Sequence, residues 1–128
     1  MSVRIARLGS ARAPGEGTRI GTVRRPPRGV PKERFSQDDW YDVWFPTLAP
    51  SPDTMKLGLA ATTEREWNAF VKKYRAEMNA PEAKHAIALL ATMSHAADFS
   101  VGCYCEDESH CHRSILRELL EDAGARIA

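Results

Sequence analysis

Phe99-Ser100-Val101-Gly102-Cys103-Tyr104-Cys105-Glu106-Asp107-Glu108-Ser109-His110-Cys111-His112-Arg113 is the stretch on which the fold turns. Its first part, Phe99 to Tyr104, reads as a strand. Just beyond it, Ile115, Leu116, Leu119 and Leu120 recur at helical spacing and stop near Gly124. A strand that passes through a turn into a helix is the unit from which α/β domains are built, and α/β proteins tend to bind ligands at such turns. All three cysteines, two of the four histidines and an arginine are gathered there.

Working outward, Thr63 followed by Glu66 is a capping-box pattern, and Trp67, Phe70, Val71, Tyr74 and Met78 then recur at helical spacing. Pro81 suits the first turn of a further helix, in which Ala86, Leu89, Leu90, Met93 and Ala97 supply an apolar stripe. His85 and His95 fall inside that helix and read as surface or satisfied histidines. Upstream, Val3 to Leu8 and Thr18 to Val23 read as strands separated by the turn Pro14-Gly15-Glu16-Gly17. Arg24-Arg25-Pro26-Pro27-Arg28-Gly29-Val30-Pro31-Lys32 can form neither ladder nor helix through its prolines, so it is a loop with a defined path. Residues 35–60 carry Trp40, Tyr41, Trp44 and Phe45 and then Pro46, Pro50 and Pro52. They read as an irregular segment, either anchored on the core by its aromatics or acting as a lid.

The element order is thus β-β, an irregular aromatic segment, then α-α-β-α. It predicts one compact α/β domain over residues 1–128, with a small mixed or mostly parallel sheet flanked by helices. The last strand-to-helix connection is expected at an edge of that sheet. No apolar run is long enough for a bilayer, which argues against a membrane protein. The alternating N-terminus reads as a strand rather than a targeting peptide. Three clustered cysteines do not make a secreted disulfide framework, so a cytoplasmic protein is expected.

The formal net charge of +1 hides an asymmetry. Arg4, Arg7, Arg12, Arg19, Arg24, Arg25, Arg28, Lys32 and Arg34 face only Glu16 and Glu33 among the first 35 residues. Most of these cations read as a solvated basic strand face. Arg24, Arg25 and Arg28 are dense enough to point to an anionic ligand.

At the turn, Cys103 and Cys105 on an extended strand point to one face with Cα atoms about 6.6 Å apart, so a disulfide between them would be strained. Cys111, His112 and Arg113 would open the final helix, with Ser109 as its cap. The unpaired N–H groups of that helix start favour anions and thiolates. Four uses of the cluster compete. The thiols finish a buried strand while Arg113 pairs with Glu106 or Asp107. Arg113 and the Arg24–Arg28 loop bind an anion beside a reactive thiol or histidine. Cys103, Cys105, Cys111, His110 and His112 ligate zinc, iron or haem, although Cys-x-Cys on a straight strand splays its sulfurs. The thiols form a redox pair. Neither Cys105 nor Cys103 has the arginine a Cys-x5-Arg phosphatase loop requires, since Cys111 and Ser109 stand at those places. There is no glycine-rich phosphate loop of the P-loop or Rossmann type.

Cys105-Glu106 followed by Cys111-His112-Arg113-Ser114 and a leucine-rich helix resembles the YeaO-like family, a bacterial and archaeal domain of unknown function (DUF488). The Arg24–Lys32 loop is similar to that family's early Arg-Leu-Trp-Pro-Arg-Gly-x-x-Lys stretch, with Pro26 where the family usually has tryptophan. Phe70–Met78 is similar to its Phe-x-x-x-Tyr-x-x-Glu-Leu helix. The resemblance implies a compact cytoplasmic α/β domain and singles out Arg28, Glu106, Cys111, His112 and Arg113 as motif positions, without supplying a reaction. The resulting expectation is an anion pocket in a small enzyme of unknown reaction, with no cofactor. Arg113, Arg28, Arg25 and Arg24 would hold a small anionic ligand, a nucleotide or nucleic acid. Cys111 or Cys105 would be the nucleophile, Glu106 and His112 the acid–base groups, and Trp40 and Trp44 a stacking lid. The alternative is a non-enzymatic metal- or haem-binding sensor. Neither reading sets the oligomeric state.

Overall fold

The computed structural model describes all residues, Met1–Ala128. The strands are β1 (Val3–Arg7), β2 (Thr18–Gly21), β3 (Val43–Trp44) and β4 (Phe99–Cys103). The helices are α1 (Pro52–Ala60), α2 (Glu64–Met78), α3 (Pro81–Met93) and α4 (His112–Asp122). They make one α/β domain around a four-stranded, wholly parallel sheet in the order β1-β4-β2-β3.

β4 lies inside the sheet, between β1 and β2. Val101 stands opposite Ile5 of β1 and Ile20 of β2. The reason is composition: Phe99-Ser100-Val101-Gly102-Cys103 has no charged or large polar side chain, so it can be covered on both faces, and all five residues are buried. The free side of β1 is partly closed by the C-terminus, where Val3 N–H donates to Arg126 O and Ala128 N–H to Val3 O.

One face of the sheet carries Val3, Phe99 and Val101, which pack with Phe70, Tyr74, Ile87, Leu90, Ile115, Leu116 and Leu120 of the helices. The capping residues foreseen for α2 are in place: the Thr63 hydroxyl accepts from Glu66 N–H at 3.1 Å, worth about 1 kcal/mol. In α3 the buried stripe is Ala83, Ile87, Leu90 and Ala91, whereas Leu89 and Met93, expected in the core, face solvent. α1 also departs from expectation, because it turns nine residues of the supposed irregular segment into helix. Ser51 caps it, Pro52 opens it, and Glu77 of α2 accepts hydrogen bonds from the Ser51 and Thr54 hydroxyls at 2.6 Å each.

Loops rather than helices cover the opposite face. Arg4 and Arg19 flank Ser100 across three strands, giving that face a polar row. Arg19 is 1% exposed, and its Nε and Nη2 donate to the two oxygens of buried Glu16 at 2.7 and 2.9 Å. Its Nη1 donates to Ser10 O at 2.9 Å and Asp39 O at 2.7 Å. Arg19 therefore departs from the solvated basic face predicted for it. It is the pin on which two long loops hang.

Candidate functional site

The C-terminal ends of β1, β2 and β4 open into a cleft of about 720 Å³. This is where parallel α/β sheets place ligands, because the connections after the strands diverge there. The chain after β1 brings Leu8, Gly9 and Ser10 to the wall, and the loop after β2 brings Arg24, Arg25 and Arg28. The floor is Cys103, Cys105, Cys111 and His112.

Tertiary packing converts the Cys-x-Cys spacing into a cluster. β4 ends at Cys103, and the chain bends at Tyr104 and again at Glu106 instead of continuing straight. The two sulfurs therefore converge to 3.8 Å rather than splaying. Cys111 is buried and holds the N-cap position of α4 without a side-chain cap. The capping role expected of Ser109 is not taken, since its hydroxyl donates to Asp107 at 2.7 Å within the 3₁₀ turn Glu108–His110. Cys103, Cys111 and His112 bring their ligand atoms within 4.8 Å of one another.

His112 has a defined tautomer. Nε2 lies 2.8 Å from the carbonyl of Thr22, which can only accept, so Nε2 carries the proton. The other ring nitrogen, Nδ1, stands 3.8 Å from Cys111 Sγ. Thr22 is itself held by β4, since its N–H and hydroxyl both donate to Gly102 O at 3.0 Å. One β2–β4 register contact thus orients the imidazole.

The thiols titrate as a set. Hydrogen bonding to Cys105, then to Cys111, and burial push the Cys103 thiol up. Hydrogen bonds from Cys103 and Cys111 hold Cys105 down at about 3 against the cost of burial, and the charge of Arg113 assists. Cys111 is also lowered, first by Cys103 and further by His112. Cys105 and Cys111 are thus pushed toward the thiolate and Cys103 toward the neutral thiol.

Arg113 serves this cluster rather than the cleft. It is 3% exposed, donates from Nη2 to Cys105 O at 2.6 Å, and has no hydrogen-bond partner for Nε. It pairs with neither Glu106 nor Asp107. Glu106 lies in solvent with a 3.5 Å contact to Arg7, and Asp107 accepts from His110 at 3.1 Å. Glu106 does not line the cleft.

Trp40 does line it, edge-on to Tyr104 at 5.8 Å. Trp44 lies outside, with its indole N–H donated to Val23 O at 2.8 Å. Trp67, in sequence one of the apolar residues at helical spacing in α2, forms a cleft wall 5.3 Å from the His110 ring. No local signal separates it from the other apolar residues of α2. Arg24 is partly committed, donating to Ala49 O and Pro50 O. Arg25 and Arg28 are exposed and take part in no ion pair. The Arg25 backbone is fixed by a 2.9 Å hydrogen bond from the Tyr104 hydroxyl.

A small, wholly parallel α/β domain with a Cys/His cluster at the mouth of its sheet is the class these features define. The chain belongs to the DUF488 family: the family model described as the active DUF488-N3 subclade (DUF488-N3a) matches residues 3–124. No curated protein and no solved structure matches it. No helix is long and apolar enough to cross a membrane.

Proposed function

We propose that the cleft binds an anionic ligand of the nucleotide type and that the protein is a small enzyme acting on it with the cysteine cluster. One observation carries this reading: Arg7, Arg24, Arg25 and Arg28 line the cleft, and no aspartate or glutamate does. Of these, Arg25 and Arg28 take part in no ion pair, and such guanidinium groups facing a concave, partly apolar space suit a phosphate or carboxylate held bidentately. Trp40 and Trp67 on the walls offer faces for an aromatic base, so a phosphate joined to a base fits better than phosphate alone. Cys105, the least buried of the three thiols, is the nucleophile in this reading, and Cys103, Cys111 and Arg113 stabilise its thiolate. His112 holds its basic Nδ1 toward Cys111, where it takes up or returns a thiol proton.

Titration of the full chain with inorganic phosphate, nucleoside monophosphates and a short single-stranded oligonucleotide tests the binding, read by tryptophan fluorescence at low and high salt. A charge-assisted hydrogen bond contributes about 1.5–3 kcal/mol, so Arg25→Ala and Arg28→Ala should each weaken binding at least about tenfold. Both side chains are exposed, so the fold should be untouched. Binding that ignores both substitutions, or no saturable binding of any of these anions, would defeat the proposal.

A further inference from the structure

The geometry points to a tetrahedral site for one zinc-class divalent cation, formed by Cys103, Cys105, Cys111 and His112 at the floor of the cleft. Three independent observations meet there.

The first is distance. A tetrahedral ion with metal–sulfur bonds of about 2.3 Å holds its sulfurs about 3.8 Å apart. Cys103 Sγ and Cys105 Sγ are 3.8 Å apart, and Cys111 Sγ stands 3.8 Å from His112 Nδ1. The ligand atoms of Cys103, Cys111 and His112 lie within 4.8 Å of one another, and Cys105, which approaches this trio through Cys103, needs a side-chain adjustment to join it as the fourth ligand.

The second is the imidazole. A ligating histidine ordinarily donates its other ring N–H to a carbonyl or carboxylate, which fixes the ring and the tautomer. His112 already does so through Nε2–H to Thr22 O at 2.8 Å, which turns the Nδ1 lone pair toward the sulfurs.

The third is charge. Arg113 is a buried cation with no carboxylate partner and an unbonded Nε. Three thiolates around a divalent ion leave one net negative charge, and Arg113 supplies one positive charge beside it. Without a metal, the same guanidinium is matched only by whatever negative charge the thiols hold.

Three thiolates and one imidazole favour zinc over the oxygen-seeking cations. Loading exchanges thiol protons for the ion, with the protons released to water and no change of oxidation state. Cys105 then faces the cleft as a metal-bound thiolate and remains the nucleophile proposed above. His112 Nδ1 and Cys111, once they hold the ion, no longer exchange a proton, so that exchange belongs to the metal-free protein.

Cobalt(II) is the probe. The full chain, stripped with chelator under reductant, should take up one Co²⁺ per chain, with thiolate charge-transfer absorption and intense tetrahedral ligand-field bands that Zn²⁺ displaces. Cys111→Ser should weaken uptake by at least about a hundredfold. Cys105→Ser, at the partly exposed position beyond β4, should keep binding but lose about one third of the charge-transfer intensity. If Cys111→Ser fails to fold by circular dichroism, the wild-type stoichiometry and the Cys105→Ser intensity decide. Absence of stoichiometric uptake, a weak octahedral spectrum, or closure of the thiols into a disulfide in the presence of metal would overturn the site. Arg25→Ala and Arg28→Ala should leave the cobalt spectrum unchanged, so loss of the anion site and loss of the metal site are separately visible.

Discussion

Glu16→Gln isolates the pin beneath the cleft loops. Glu16 is 4% exposed and Arg19 1%, and the carboxylate takes Arg19 Nε and Nη2 as a bidentate pair. Ala13 N–H and the Ser100 hydroxyl complete its shell at 3.2 and 3.0 Å. Glutamine matches the shape, but it turns an amide N–H₂ toward a guanidinium donor and leaves a buried charge uncompensated. Breaking a buried pair from one side costs about 3–5 kcal/mol. For a chain of this size that lowers the melting temperature by roughly 10–20 °C. Thermal unfolding followed by far-UV circular dichroism measures it.

Acidity supplies a second arm. Burial alone would raise the Glu16 carboxyl, but Arg19 above all, with Ala13 and Ser100, holds it below the usual glutamate range. Its folded-state pKa is depressed, so its contribution is complete above the ordinary value of about 4.3 and is lost as pH falls through the lowered value. The gap between wild type and Glu16→Gln should be constant from neutral pH down to about 5 and shrink below about 4. A gap under about 1 kcal/mol at neutral pH, or one that widens on acidification, would refute the pairing argument. Arg19 also positions the cleft, since Asp39 O, one of its acceptors, precedes Trp40. Asp39 reaches that orientation with φ of 62°, in the left-handed region that aspartate tolerates.

Two glycines of one loop make a matched comparison. At Gly17, with φ of 75°, an added Cβ would sit 1.9 Å from Asp98 O, so Gly17→Ala should cost more than about 2 kcal/mol in urea unfolding. Gly15→Ala, at φ of 73° with open space around it, should cost only about 1 kcal/mol, and equal losses would contradict the packing argument. Tyr104→Phe removes the hydroxyl that holds Arg25 O at 2.9 Å, which should change stability by under about 1 kcal/mol while weakening anion binding several-fold. Unchanged affinity in that variant would mean that the arginine loop keeps its place without the tyrosine.

Signals that act within a turn or two of chain were legible. The Thr63 cap, Pro81 and the Leu116–Leu120 spacing placed α2, α3 and α4, because capping and periodicity are local properties. Helix α1 was hidden among prolines, and a glycine sits inside it. Gly58 is there because a Cβ would meet the Phe70 ring at 2.8 Å, a constraint set by a residue of another helix. Leu89 and Met93 misled because a helix stripe shows which residues share a face, not how far a neighbour covers it.

The amino-acid sequence by itself determined an α/β domain with a small mixed or mostly parallel sheet, and it gathered every thiol in one strand–turn–helix segment. Tertiary structure decided which groups those thiols meet. The inner position of β4, the bend that draws Cys105 to Cys103, the Thr22 carbonyl that sets the His112 tautomer and the meeting of the arginine loop with the cysteines all join residues distant along the chain. Those meetings follow from strand order and burial. Spacing along the chain encodes neither.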